Sequence, residues 1–397
     1  MRTERQIRVA LFVKGFPVTE TGGPVEVAYN LVREILRSPS VRVTLIVQTD
    51  SEEEAIRSAF GETDRLSVIR LEYFSSRRDL ETVPRILRAM RGVDLVHFNE
   101  FPLRHLGYVL YAKLRGLPTV LSVHGVFSHE VSAFMGPQYP IRILGASGHA
   151  EIRAPRFLVA LLVRLYRWLA PRWSAVIVNS IANMERAVEL EKFPAARVRI
   201  IPNGIALATT APPPPLPHKG PPRLLFVGKL EDVKGPDLLL SALDLLRREG
   251  YSVDLTIVGG GSMEPSLRRR AEGMDGHRIT FQGYLPHDAV GSFYEWADIV
   301  VVPSRYEAFS IVVLEAMSAA RPIVATAMGG IPEIVSSPTN AILVAPTPES
   351  IAGGIRQLVD RPDLRAGMAK ANLAKVRSYA WSEIAPKYVS LYRELVQ

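Results

Sequence analysis

The apolar positions of this chain fall into short runs with little polar alternation. Parallel strands that are covered by helices on both faces carry such runs, whereas a strand with one solvent face alternates apolar and polar residues. Helical patterns separate the runs, so the sequence predicts an α/β protein built from doubly wound parallel sheets. The predicted strands are residues 7–13, 41–47, 66–71, 93–99, 119–124 and 175–180 in the first half, and 223–228, 253–259, 278–283, 298–303 and 322–326 in the second.

A proline-rich segment interrupts this rhythm at residues 203–222, which contain four consecutive prolines and end in another pair. Proline removes backbone donors and favours extended chain, so this segment is predicted to be a semi-rigid linker. A length of 397 residues also exceeds one typical core. We therefore expect Rossmann-like domains at 1–202 and 223–375 that face a cleft at the carboxyl ends of their strands. Residues 376–397 are predicted to form a terminal helix that packs back on the N-terminal domain.

Composition and charge narrow the class of protein. The chain has no cysteine, which excludes disulfides, thiolate nucleophiles and zinc–cysteine sites. No apolar run reaches the roughly 18–20 residues of a membrane span, and the first run is too short for a secretory signal, so a cytoplasmic protein is expected. The net charge of +8 favours anionic partners. No nucleic-acid recognition motif accompanies it, and nucleic-acid binding is not expected.

Two glycine-rich turns follow predicted strands. Gly22 and Gly23 stand before Pro24, which suits the first turn of a helix, and another glycine turn occupies residues 259–261. Free N–H groups at the start of a helix bind anions. Any turn between a strand and a helix can also need glycine for its backbone alone. The dinucleotide-binding pattern G-x-G-x-x-G is absent at the first turn.

Two lysines, Lys229 and Lys234, follow the strand at 223–228. Positive side chains at the carboxyl end of a strand can hold a diphosphate by charge. The alternative is an ordinary solvated loop, in which lysine is common.

Two acids, Glu307 and Glu315, stand eight residues apart in PSRYEAFSIVVLEAM, residues 303–317. Ser310 is a candidate N-cap, so Glu307 would precede a helix and Glu315 would lie about one and a half turns into it. The start of that helix could hold a diphosphate, with one carboxylate accepting sugar hydroxyls on each side. The alternative is that Glu307 only favours the helix dipole and Glu315 is an exposed helical acid.

This segment resembles the E-x7-E signature of the GT-B glycosyltransferases, in particular the large retaining family 4. Further motifs of that family follow one another along nearly the whole chain. They are TGGPVEVAYNL at 21–31, SVHG with His124, IPNG at 201–204, VGKL with the later KG, IVGGG at 257–261 and FQGYLP at 281–286. The chain departs from the family pattern at Lys229, where arginine is common, and at Ala308, where glycine often follows the first acid.

The resemblance implies transfer of a sugar from a UDP- or GDP-sugar to a glycan or lipid-linked acceptor, with retention and with no metal or other cofactor. It implies that Lys229 and Lys234 stabilise the leaving diphosphate, that Glu307 and His124 hold the donor sugar, and that Glu315 holds the ribose. The other donor-binding residues implied are Gly22, Gly23, Gly228, Tyr284, Phe309, Ser310 and Ile311. The alternatives are an epimerase or phosphorylase of the same fold, and a non-enzymatic anion-binding protein.

Residues 153–173 form the most unusual predicted helix. Arg153, Arg156, Arg164 and Arg167 share one narrow stripe, with Trp168 and Trp173 near the end of the segment. The stripe is so narrow that most of the helix surface is apolar, which favours a core helix whose arginines reach water. A basic stripe with aromatic neighbours can also lie in the interface of an anionic membrane, so peripheral membrane contact is the second interpretation of this segment.

Overall fold

The computed structural model describes residues 5–15, 23–49, 51–61, 63–71, 78–100, 106–125, 141–145, 148–152, 164–165, 168–207 and 220–397. The chain divides into two compact units, residues 1–204 with 381–397 and residues 205–380. The sequence puts the start of the linker at residue 203, and the division falls after Gly204. Most of the predicted linker, residues 208–219, lies outside the described residues.

The first unit contains a seven-stranded parallel sheet. Its strands are β1 (Ile7–Lys14), β2 (Val41–Gln48), β3 (Leu66–Leu71), β4 (Leu95–Phe98), β5 (Thr119–Val123), β8 (Ala175–Val178) and β9 (Val198–Ile200). They lie in the order β3-β2-β1-β4-β5-β8-β9. A separate antiparallel pair consists of β6 (Ile141–Gly145) and β7 (Gly148–Ile152). The helices among its described residues, before the last helix of the chain, are α1 (Gly23–Ile35), α2 (Glu53–Phe60), α3 (Arg78–Arg91), α4 (Leu106–Leu114) and α5 (Ile181–Glu189).

One face of this sheet packs its aromatic residues in a contiguous core. Phe98 stacks on Phe12 with ring centroids 4.6 Å apart and meets Trp173 edge-on at 5.7 Å. Trp173 is only 1% exposed because its ring lies in the core beside β4, so this end of the segment follows the core interpretation. Most of the predicted helix, residues 153–163 and 166–167, lies outside the described residues. Trp168 is exposed, with the Arg172 guanidinium over its ring.

The second unit contains a six-stranded parallel sheet. Its strands are β10 (Arg223–Val227), β11 (Asp254–Val258), β12 (Arg278–Gly283), β13 (Ile299–Val302), β14 (Ile323–Thr326) and β15 (Ile342–Val344), in the order β12-β11-β10-β13-β14-β15. The helices are α6 (Pro236–Arg248), α7 (Glu264–Glu272), α8 (His287–Trp296), α9 (Ile311–Ser318), α10 (Ile331–Ile334), α11 (Pro348–Asp360) and α12 (Pro362–Val376). Two apolar cores cover the sheet. The predicted class, α/β with two parallel-sheet domains, is confirmed.

The last helix, α13 (Trp381–Val396), belongs to the first unit. Its predicted start at residue 376 is wrong, because α12 continues to Val376 and a 3₁₀ turn follows before α13 begins. The helix packs against α1 and β4. His97 of β4 is fully buried and bonds Tyr392 of this helix through Nδ1 at 2.6 Å and Ser122 of β5 through Nε2 at 2.8 Å. This polar contact joins the end of the chain to the middle of the first sheet.

Each sheet reverses its strand order once. β1 has β2 on one side and β4 on the other, and β10 lies in the same way between β11 and β13. Loops that leave such a pair of strands run to opposite faces, which opens a crevice at the carboxyl ends where ligands of α/β proteins commonly bind. The residues after β1, β4, β10 and β13 are therefore the first places to look for a site.

Candidate functional site

The reversal point of the second sheet brings Lys234 and Glu307 together. Lys234 ends a 3₁₀ turn in the loop after β10, and Glu307 lies in the loop after β13. The Lys234 Nζ donates to Glu307 Oε1 at 2.6 Å, and the Ser304 hydroxyl donates to the same oxygen at 3.1 Å. The Glu307 side chain is 9% exposed and that of Lys234 is 30% exposed. A cation that can still reach solvent is thus held in place by a nearly buried carboxylate.

The loop after β14 holds the backbone of the same segment. Gly330 N–H donates to the Glu307 carbonyl at 2.9 Å, and the Thr326 hydroxyl donates to the Ser304 carbonyl at 2.5 Å. Gly329 has φ of +55°, and a Cβ built on it would lie 1.8 Å from the Glu307 carbonyl oxygen. Ser304, Thr326 and this glycine pair were missed by sequence reasoning. Gly329 and Gly330 follow the strand predicted at residues 322–326. A glycine pair in that place was the feature of the sequence from which a close backbone contact could have been predicted.

Lys229 stands near the start of the loop after β10, five residues before Lys234. Its side chain is exposed, and within the described part of the chain it makes no ion pair. Glu231 accepts hydrogen bonds from the backbone N–H of Ser262 at 2.8 Å and from its hydroxyl at 2.5 Å. A Cβ on Gly259 would lie 2.0 Å from the Gly228 carbonyl oxygen. The hydrogen bonds of Glu231 and the close approach of these two glycines therefore hold the loop after β10, which carries Lys229 and Lys234, against the glycine turn after β11.

Helix α9 begins beside Glu307. Ser310 is its N-cap, as predicted, and the Ser310 hydroxyl accepts from Val313 N–H at 3.4 Å. Among the described residues, no acceptor is bonded to the N–H groups of Ile311 and Val312. The Phe309 ring lies in the buried core, so only its backbone can face a ligand. The first turn of α9 thus presents free N–H groups and the positive end of the helix dipole.

Glu315 is held by a tyrosine that the sequence did not single out. The Tyr294 hydroxyl, from α8, donates to Glu315 Oε2 at 2.5 Å. Burial raises the pKa of Tyr294 well above its usual value, and the Glu315 charge raises it further. The phenol therefore stays protonated and fixes the orientation of the carboxylate. Tyr284, at the carboxyl end of β12, is 61% exposed.

His124 follows β5 in the first unit, next to the end of β4. Its Nε2 lies 3.3 Å from the Asn99 amide oxygen. An amide oxygen only accepts, so Nε2 carries the proton and Nδ1 is the acceptor. Burial lowers the pKa of His124 to about 4, which makes the imidazole neutral at pH 7. Asn99, a buried residue, was not predicted.

The remaining first-unit residues of the predicted site are two glycines. Gly23 is the first residue of α1, and Gly22 lies outside the described residues. Within the described ranges, no group of three or more His, Cys, Asp or Glu side chains is arranged to hold a metal ion. Over the same ranges, no helix combines the length and apolarity needed to cross a membrane.

The chain matches known families along most of its length. Residues 21–209 match the family described as Glycosyltransferase Family 4, and residues 209–374 match the one described as Glycosyl transferases group 1. The D-inositol 3-phosphate glycosyltransferase of Kineococcus radiotolerans is 30% identical over 339 residues, which cover 78% of this chain and 73% of that protein. D-inositol 3-phosphate glycosyltransferase 1 of Catenulispora acidiphila is 27% identical over 335 residues, which cover 79% of this chain and 75% of that protein.

Solved structures share the fold at low sequence identity. The crystal structure of Anabaena HepE in complex with UDP and glucose has a TM-score of 0.74 at 18% identity and covers 98% of this chain and 100% of that chain. Sucrose-phosphate synthase from Thermosynechococcus elongatus has a TM-score of 0.74 at 22% identity, and the match covers 98% of this chain and 99% of that chain. With these matches, the chain belongs to the family 4 (group 1) glycosyltransferases of the GT-B type.

Proposed function

We propose that this glycosyltransferase moves a sugar from a nucleoside diphosphate sugar to a glycan or lipid-linked acceptor, with retention of configuration and without a metal ion. The observation that carries the proposal is the Lys234–Glu307 pair beside the first turn of α9. An ammonium and free helical N–H groups meet there at the carboxyl edge of the sheet. Both stabilise negative charge, which is what a departing diphosphate develops.

Lys234 and Lys229 supply charge stabilisation to the leaving diphosphate. Lys234 is oriented by Glu307 and Ser304, so little side-chain freedom is lost when a phosphate binds. Lys229 is exposed and adds its charge from the other end of the same loop. With two ammonium groups and a helix N-terminus available, the reaction does not require a divalent cation.

The carboxylates are assigned to binding rather than to proton transfer. Glu307 accepts hydroxyls of the donor sugar, and Glu315, held by Tyr294, accepts the ribose hydroxyls. The neutral His124 offers Nδ1 as an acceptor for another sugar hydroxyl. Gly22 and Gly23, with the backbones at Gly228, Phe309, Ser310 and Ile311, are proposed to approach the donor, and Tyr284 to lie at its base.

The reaction balances without a protein base. The bond between the anomeric carbon and the diphosphate oxygen breaks, and the acceptor oxygen bonds to the same face of the sugar. The acceptor proton passes to the departing phosphate oxygen. The products are a nucleoside diphosphate and a glycoside with the donor's anomeric configuration.

The donor base and the acceptor are proposed only as classes. The structure of HepE was solved with UDP-glucose, which favours a UDP-sugar as the first donor to test, with GDP-sugars as the second choice. Relatives include D-inositol 3-phosphate glycosyltransferases and a glycogen synthase of Mycobacterium tuberculosis. They support a polyol or glycan acceptor of the kind used in polysaccharide, glycolipid or cell-envelope synthesis.

The test is thermal stability with UDP, GDP, ADP, their common sugars and NAD. A ligand at about 100 times its Kd stabilises the native state by roughly 2.7 kcal/mol. We expect one nucleoside diphosphate to raise Tm, and Glu315→Ala to abolish the shift. A shift with NAD alone, or with no ligand of the panel, contradicts the proposal.

Three further measurements separate the finer parts of the proposal. The anomeric configuration of the product, read by NMR, tests retention. Turnover that is unchanged by EDTA supports metal independence, and turnover lost to the chelator refutes it. Product analysis with and without acceptor distinguishes transfer from the epimerase and phosphorylase alternatives.

Peripheral contact with an anionic membrane through residues 153–173 stays a proposal. Its described residues include the exposed Arg164 and Trp168, whereas Trp173 is in the core. Flotation with vesicles that contain anionic lipid should carry the protein upward. If the protein does not float with them, the proposal of membrane contact is refuted.

A further inference from the structure

One arginine next to Glu307 contacts both sides of the turn that presents Lys234. The Arg305 guanidinium donates to the two carboxylate oxygens of Asp237 at 2.8 and 2.6 Å, a bidentate pair. The same guanidinium donates to the Asp232 carbonyl at 2.7 Å. The Arg305 backbone N–H donates to the Val233 carbonyl at 2.9 Å. These contacts lie before and after Lys234 in the chain.

The turn is short, and apart from Arg305 it is held by backbone hydrogen bonds, in which the N–H groups of Lys234, Gly235 and Tyr306 donate to the Glu231, Asp232 and Val233 carbonyls. It comprises Asp232–Lys234, and Gly235 follows it before α6 begins at Pro236. A lysine side chain has several rotatable bonds and loses considerable conformational freedom when fixed. The Lys234–Glu307 contact of 2.6 Å therefore depends on the positions of two backbones, that of the turn with Lys234 and that of the loop with Glu307. Other contacts must hold these two backbones in place. Arg305 meets this need because it sits two residues before Glu307 and bonds the turn directly.

We propose that Arg305, with Asp237 as its counter-ion, is a positioning residue that sets Lys234 against the leaving diphosphate. The inference rests on the proposed function, since it assigns Arg305 an effect only through Lys234. Lysine cannot replace arginine here, because an ammonium lacks the planar fork that bonds both oxygens of one carboxylate.

The experiment compares Arg305→Ala, Arg305→Lys, Asp237→Asn, Lys234→Ala and the double variant Arg305→Ala/Lys234→Ala. Each is measured for UDP and GDP affinity, for kcat and KM with the donor that wild type uses, and for Tm. Arg247→Ala is the matched control. Arg247 also pairs with an aspartate of α6, Asp244, at 3.0 Å and is also partly exposed, but its partner lies away from the turn.

We expect Arg305→Ala to lower kcat/KM by about 10- to 100-fold, as a misplacement near 1 Å does, with most of the loss in kcat. Arg305→Lys and Asp237→Asn should show much of the same loss with Tm near wild type, and Arg247→Ala should stay within twofold of wild type. The double variant should be no worse than Lys234→Ala alone. Added guanidinium should restore part of the activity of Arg305→Ala and none to Lys234→Ala.

Two results would overturn the inference while leaving the proposed function intact. One is wild-type kinetics in Arg305→Lys and Arg305→Ala. The other is a double variant whose loss equals the product of the two single losses, since Arg305 would then act independently of Lys234. If wild type itself neither binds nor turns over any nucleotide sugar, the proposed function fails instead, so the two failures are distinguishable.

Discussion

Gly329→Ala should impair catalysis through the backbone of Glu307. A Cβ at residue 329 would lie 1.8 Å from the Glu307 carbonyl oxygen, and real Cβ atoms essentially never come closer than 3.0 Å. The two loops must therefore move apart by about 1.2 Å. The φ of +55° adds strain of roughly 1–2 kcal/mol for a residue with a side chain. The movement displaces Glu307 and lengthens its bond to Lys234.

The expected loss in kcat/KM is about 100-fold, because a misplacement of about 1 Å at a reacting centre has that effect. The strain should also lower Tm by roughly 2–8 °C for a unit of this size. Steady-state kinetics with the wild-type donor and a thermal melt measure the two effects separately.

Gly353→Ala is the control for the same change of residue. Gly353 lies within α11, and no atom lies within 4 Å of the position that a Cβ would take there. Alanine there should preserve activity and stabilise the helix by about 0.5–1 kcal/mol. Wild-type kcat/KM in Gly329→Ala, together with a lowered Tm, would refute the argument, because the loop would have moved without any effect on the site.

Further predictions concern stability and ligand affinity. Burial, aided by the charge of His124, lowers the pKa of His97 from 6.5 to about 3. At pH values between these two pKa values, only the unfolded chain binds a proton at His97. The free energy of unfolding should therefore fall as pH drops below about 6.5, by up to about 1.4 kcal/mol per pH unit. Urea titrations at pH 7.5 and 5 should show a smaller fall in His97→Asn than in wild type. Tyr294→Phe should weaken nucleoside diphosphate binding about 3- to 30-fold, from the loss of a hydrogen bond to charged Glu315, and calorimetry that finds unchanged affinity would contradict it. Gly204→Ala should lower Tm, because its Cβ would meet the ring of Trp381 at 2.4 Å; an unchanged melt would show that the ring can move aside.

The local pattern of the sequence predicted most of the sheets. Every strand longer than three residues in the two parallel sheets was expected, because a strand buried on both faces needs an uninterrupted apolar run. β9 and β15, of three residues each, were missed, since so short a run has no period to detect. The start of α13 was placed too early because α12, the 3₁₀ turn and α13 follow one another almost without a break.

The family, the strand–helix alternation and the charged residues at the carboxyl ends of the strands could be predicted from the amino-acid sequence, because those features depend on residues near one another in the chain. How the charged groups are held became visible only in the folded structure, because their partners are far away in sequence. Lys234 and Glu307 are 73 residues apart, and Arg305 and Asp237 are 68 apart. The contact of His97 with Tyr392 spans 295 residues. Apolar periodicity carries no information about such pairs, since only the packing of the sheet brings their loops together.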